Sequence, residues 1–143
     1  MPFARTTQGK YMNHYAGSCL CGAVTYRIRA EIKEAGHCHC SQCRKFHGAA
    51  FATYVTVPRT ALERVTGAEL IRAYRSSPTV SREFCSLCGS SLFWSSTSGE
   101  HPEKIAVALG TLDTPFMPAR QEHIFVASKA CWVSVGDDWP QTP

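Results

Sequence analysis

A chain of 143 residues with 44% hydrophobic composition has the material for a single domain with a buried core. Its net charge of +4 is spread over scattered arginines and lysines, Arg27, Arg59, Arg72 and Arg82 among them, which read as a solvated face rather than a nucleic-acid stripe. No stretch approaches the roughly 20 apolar residues that cross a bilayer and MPFARTTQGKY contains no apolar leader, so a soluble, cytoplasmic protein without a membrane partner is expected.

In chain order, residues 1–16 are expected to be an N-terminal extension, 17–135 the domain, and 136–143 a surface tail. Ala23 to Arg29 alternates with a period of two, placing Val24, Tyr26 and Ile28 on one face and Thr25, Arg27 and Arg29 on the other. Phe51 to Val57 is rich in β-branched and aromatic residues and is closed by Pro58. Leu70–Arg75, Val80–Phe84, Ser91–Trp94, Ile105–Leu109 and His123–Val126 are further strands, separated by Gly, Pro, Ser and Asp turns. Helical turns are expected after Cys43 and near Thr60 to Arg64. The fold class is mainly β, a small sandwich-like domain stapled by zinc.

Seven of the eight cysteines fall into three clusters, Cys19-x-Cys21, Cys38-x-Cys40-x-x-Cys43 and Cys85-x-x-Cys88. In a reducing compartment such spacing reads as soft metal ligands rather than disulfides, and zinc is the usual occupant. Cys85-x-x-Cys88-Gly89 lies between two strands as a zinc knuckle, with Gly89 placed to take a positive φ. Spacing leaves the partition open. Cys19, Cys21, Cys85 and Cys88 can close one site and leave Cys38, Cys40 and Cys43 together, or Cys40 and Cys43 can join Cys85 and Cys88. The first division is preferred, because three thiolates within six residues can wrap one metal from a single loop and leave a vacant position. His37 and His39 are expected to sit behind the ligands or face solvent. His14, His47, His101 and His123 are expected to be ordinary or core histidines, and Cys131 a buried apolar residue.

The segments Gly17–Tyr26, His37-Cys38-His39-Cys40-Ser41-Gln42-Cys43-Arg44-Lys45 and Phe84–Leu92 resemble the glutathione-dependent formaldehyde-activating enzyme family, which also includes centromere protein V. His123-Ile124-Phe125-Val126 with Lys129 and Trp132 is similar to that family's C-terminal signature. The resemblance runs from Gly17 to Pro140. It implies a β-rich fold similar to that of a small zinc-binding guanine-nucleotide-release chaperone. It also implies two zincs per chain: a structural one on Cys19, Cys21, Cys85 and Cys88, and a catalytic one on Cys38, Cys40 and Cys43.

That resemblance implies a carbon–sulfur lyase-type enzyme that joins a small thiol, glutathione or another, to formaldehyde or a similar small electrophile. Arg44 is a candidate to hold a substrate carboxylate or to donate N–H to a thiolate. A non-catalytic protein-interaction module on the same scaffold, and a thiol redox sensor, are the alternatives from other classes. Exposed strand edges make a homodimer a further expectation.

Overall fold

The computed structural model describes residues 14–143. Most of the expected N-terminal extension lies outside the described residues, and its last residues belong to β1 (His14–Ser18). Nine more strands follow: β2 (Thr25–Arg29), β3 (Glu34–Cys38), β4 (Ala52–Pro58), β5 (Leu62–Thr66), β6 (Ile71–Arg75), β7 (Val80–Cys85), β8 (Ser91–Ser96), β9 (Lys104–Ala108) and β10 (Arg120–Ile124). The one α-helix among the described residues, α1 (Ser41–His47), opens directly on the Cys38–Cys43 segment.

Two sheets result. One has three strands in the order β1-β2-β5, and the other has seven in the order β10-β3-β4-β9-β8-β7-β6. Every neighbouring pair is antiparallel except β10 beside β3, which is parallel and sets His123 opposite His37 and Ile124 opposite Cys38. That single parallel pairing carries a distant C-terminal segment to the edge of the Cys38 cluster.

The alternation in β2 explains how the sheets meet. Val24, Tyr26 and Ile28 are fully buried, and they pack on Val55 and Val57 of β4, Leu92 and Phe93 of β8, and Ile105 and Val107 of β9. Tyr26 meets Phe93 edge-on with ring centroids 5.3 Å apart and satisfies its hydroxyl on Thr111 at 2.7 Å. Gly17 of β1 lies against the Tyr26 ring, where a Cβ would overlap it, so the close approach of β1 requires glycine.

Three elements depart from the sequence reading. Residues expected to form a helical turn near Thr60 to Arg64 give only a 3-10 turn at Arg59–Ala61, after which Leu62–Thr66 runs as β5, because Leu62 is buried opposite Ile28. β3 reads Glu-Ala-Gly-His-Cys, with no β-branched residue, and becomes a strand because β4 and β10 hydrogen-bond it on both sides. β10 starts earlier than expected and stops at Ile124, since Phe125 takes φ +56°, the left-handed region. Residues 136–143 lie on the surface, yet they are tied down: Pro140 and Thr142 exchange backbone hydrogen bonds with His123.

Candidate metal centres

The first cluster is assembled from two knuckles. Cys19 and Cys21 follow β1, Cys85 ends β7, and Cys88 lies in the turn to β8. Each knuckle is closed by a glycine of positive φ, Gly22 at 78° and Gly89 at 77°, which lets the backbone curl around the sulfurs as the expected turn required. Val24 N–H donates to the Cys19 Sγ at 3.3 Å, and the Ser90 hydroxyl lies 3.2 Å from the Cys88 Sγ. Hydrogen bonds from the Ser90 hydroxyl and backbone lower the Cys88 thiol to about 5, so it presents a thiolate.

All four sulfurs lie within 4.8 Å of one another, with Cys19 to Cys21 at 3.5 Å and Cys21 to Cys85 at 4.0 Å. Zinc–sulfur bonds of ~2.3 Å in a tetrahedron set thiolates ~3.8 Å apart, so this donor set fits zinc. It offers four soft ligands, as many as a tetrahedral zinc takes.

The second cluster is local. Cys38 ends β3, Cys40 is the N-cap of α1 and accepts the Cys43 N–H at 3.3 Å, and Cys43 is in the first turn of the helix. These three sulfurs also lie within 4.8 Å of one another. The Cys38 thiol donates to Cys43 and, together with Arg82, lowers Cys43 to about 5, while the same exchange and burial push Cys38 up. Three crowded thiols sharing their protons in this way form a site suited to a dication, and only three ligands come from this loop.

The histidines flanking this cluster form a network that sequence reading did not join. His39 is fully buried, and its Nε2 lies 2.8 Å from the His123 Nδ1. The His123 Nε2 reaches the Asp137 carboxylate at 3.0 Å. A carboxylate accepts only, so a neutral His123 donates to Asp137 from Nε2 and accepts from His39 at Nδ1. His39 is then neutral, with its proton on Nε2 and a bare, buried, unpartnered Nδ1. Burial and the neighbouring His123 lower its pKa, which keeps it neutral. His37 bonds Thr53 and Gln121, each at 2.8 Å. Neither His37 nor His39 joins the three-sulfur group, and His123 is a satisfied core histidine.

Beyond Cys43, Tyr54 of β4 packs on the cluster and bonds the His47 Nε2 through its hydroxyl at 2.7 Å. Burial and the nearby Cys43 sulfur push the Tyr54 phenol up, which keeps it protonated. His47 and Phe46 line a cavity of about 510 Å³ that extends past Phe51 and Thr53 to Cys88 and Gly110. It touches Cys88 of the first cluster and the end of α1 that follows Cys43, and its size suits a small molecule.

Three sequence expectations change here. Arg44 sends its Nε to the His39 carbonyl at 3.4 Å and lines a separate cleft of about 240 Å³ with Lys45 and Trp132. The N–H donor to a thiolate is instead Arg82, expected on a solvated face but 5% exposed, whose Nη1 lies 3.6 Å from the Cys43 Sγ. Cys131 is exposed rather than buried, because the chain leaves β10 at Phe125 and loops over the surface before Trp132.

Comparison with known proteins identifies the chain's relatives. The sequence profile described as glutathione-dependent formaldehyde-activating enzyme matches residues 14–128. The chain belongs to that family. An uncharacterized lyase of Schizosaccharomyces pombe is 31% identical over 91 residues, 64% of each chain, so the match spans somewhat less than two thirds of that relative. A Halomonas elongata protein, named as a candidate glutathione-dependent formaldehyde-activating enzyme, is 30% identical over 128 residues, covering 83% of this chain and 79% of its own. A crystal structure of a Rhodobacter sphaeroides protein superposes with a TM-score of 0.59 at 30% identity, covering 71% of this chain and 90% of that one.

Proposed function

We propose that this chain joins a small thiol to formaldehyde, or to a similarly small aldehyde, and runs the reverse cleavage, with two zincs per chain in unequal roles. The observation that carries the proposal is the inequality of the clusters: four sulfurs gathered from two knuckles, against three from one loop whose helix ends at His47, on the wall of a cavity. The family to which the chain belongs and the name of its lyase relative support the same chemistry.

Zinc held by Cys38, Cys40 and Cys43 would keep a substrate sulfur deprotonated at neutral pH. The protein's own groups supply the rest. As the sulfur attacks the aldehyde carbon, a carbon–sulfur bond forms and the carbonyl π bond opens onto oxygen. That oxygen takes a proton from Tyr54, which His47 holds in place and which recovers one from the proton released by the thiol. Thiol plus formaldehyde thus becomes a hydroxymethyl thioether with no net change in protons. Phe46 and Phe51 line the cavity and would hold the two reactants together there. The cleft of Arg44 and Lys45 offers a cationic resting place for a carboxylate on the thiol.

The test is exchange NMR of ¹³C-formaldehyde with several small thiols, glutathione included, after zinc has been counted. Adduct exchange faster than in buffer supports the proposal. Two zincs per chain with no acceleration for any thiol overturns it. A second reading, a protein-docking module, draws on Leu20 and Leu87, which stand 88% and 65% exposed at the tips of the two knuckles.

A further inference from the structure

We propose that Arg82 is the counter-charge that lets the Cys38–Cys40–Cys43 centre accept an additional thiolate, and so sets its preference for an anionic sulfur ligand over a neutral one. This rests on the reading of that cluster as a thiol-binding metal centre.

Arg82 projects from β7 and is 5% exposed. Each of its three nitrogens makes a hydrogen bond: Nε donates to the Ser76 hydroxyl at 3.0 Å, Nη2 to the Gln42 side-chain carbonyl at 3.1 Å, and Nη1 to the Cys43 Sγ at 3.6 Å. The guanidinium lies over the Phe46 ring, 5.8 Å from its centroid. Among the described residues no carboxylate forms an ion pair with it. A buried guanidinium surrounded by a hydroxyl, an amide and an aromatic face is costly unless an anion compensates it. The anion at hand is the thiolate cluster. In turn, a dication bound by three thiolates already carries one net negative charge, and a further thiolate makes it two in a desolvated site. The fixed charge of Arg82 returns that sum to one, and it cannot be lost, because arginine does not deprotonate in proteins.

Arg82 also ties α1 to β7 and the β6–β7 turn through Gln42 and Ser76, so a clamp without electrostatic purpose is the competing explanation. Lysine separates the two, since it keeps the charge but not the fork. The experiment uses the cobalt(II)-substituted full chain as an optical probe, with metal content measured first. Wild type, Arg82→Lys and Arg82→Gln are titrated with 2-mercaptoethanol, then separately with imidazole as a neutral ligand. All three proteins are expected to keep the same metal content. Arg82→Gln should bind 2-mercaptoethanol roughly 10- to 100-fold more weakly than wild type, the loss of a charged hydrogen bond, with imidazole binding unchanged. Arg82→Lys should remain within about fivefold of wild type.

Equal thiol affinity in wild type and Arg82→Gln overturns the proposal. So does a parallel loss of imidazole binding, a lost metal, or an Arg82→Lys protein as weak as Arg82→Gln. If Arg82→Gln does not fold, Arg82→Lys decides: affinity within about fivefold sustains the proposal, and a loss beyond about tenfold ends it. A wild-type spectrum that ignores thiol altogether is a different failure. It removes the proposed function, and this proposal with it.

Discussion

The two cysteine clusters use the same chemistry on opposite scales of sequence. Cys21 and Cys85 are 64 residues apart and their sulfurs lie 4.0 Å from each other, so the first cluster joins the three-stranded sheet to the β7–β8 hairpin of the larger one. Cys38, Cys40 and Cys43 occupy one strand end and one helix turn, a segment already in place through β4 and β10. Closing a long loop constrains the unfolded chain far more than closing a short one. The first cluster can therefore carry architecture, while the second is free to exchange a ligand without putting the fold at risk.

The largest test of that contrast is a pair of substitutions. Cys85→Ser removes a fully buried ligand of the long-range cluster and should cost ~5 kcal/mol or more, enough to abolish cooperative thermal unfolding by circular dichroism. Cys43→Ser should keep a cooperative transition while binding one zinc fewer and losing adduct-forming activity. Graded chelation should tell the same story without mutation: zinc leaves the local cluster first with the fold intact, and the second loss coincides with unfolding.

Smaller effects sharpen the picture around the local cluster. Tyr54→Phe removes the proton donor without emptying its site and should lower turnover by roughly 10²-fold, with the zinc count unchanged. His47 gives a weaker signal. Burial, reinforced by Arg82, lowers its folded pKa below the ordinary 6.5. The folded state thus favours neutral His47, and the unfolded chain binds a proton more readily. Its contribution is fully present above pH 6.5 and is lost as pH falls from there through the lower folded value. Zinc-loaded His47→Gln should accordingly show a shallower loss of urea stability on acidification than wild type.

Much of the molecule could be read from local chemistry. β2, β4 and β7 to β9 declare themselves through alternation and β-branched residues, and the clustered cysteines through the softness of thiolates. The partition of those cysteines could not be read from spacing, since either pairing of the two-residue knuckles suits a tetrahedral ion. The structure brings Cys19 and Cys21 to Cys85 and Cys88. β1, β3 and β5 were hidden because neighbouring strands, not their own residues, make them extended. Arg82 is 39 residues from Cys43, and His123 is 84 from His39, so no local pattern links either to the cluster. One cue for Arg82 was available in principle. It lies three residues ahead of a zinc-knuckle cysteine, in a strand whose alternation turns it inward with Cys85's neighbours rather than toward water.

The central claim is the unequal filling of two zinc spheres by protein sulfur, and X-ray absorption at the zinc edge reads it directly. A sealed site with four sulfurs and an open one with three give an average near ~3.5 sulfurs per zinc, rising to ~4 when a small thiol is added. An average of four before any thiol, or one that does not move when thiol is supplied, would contradict the account.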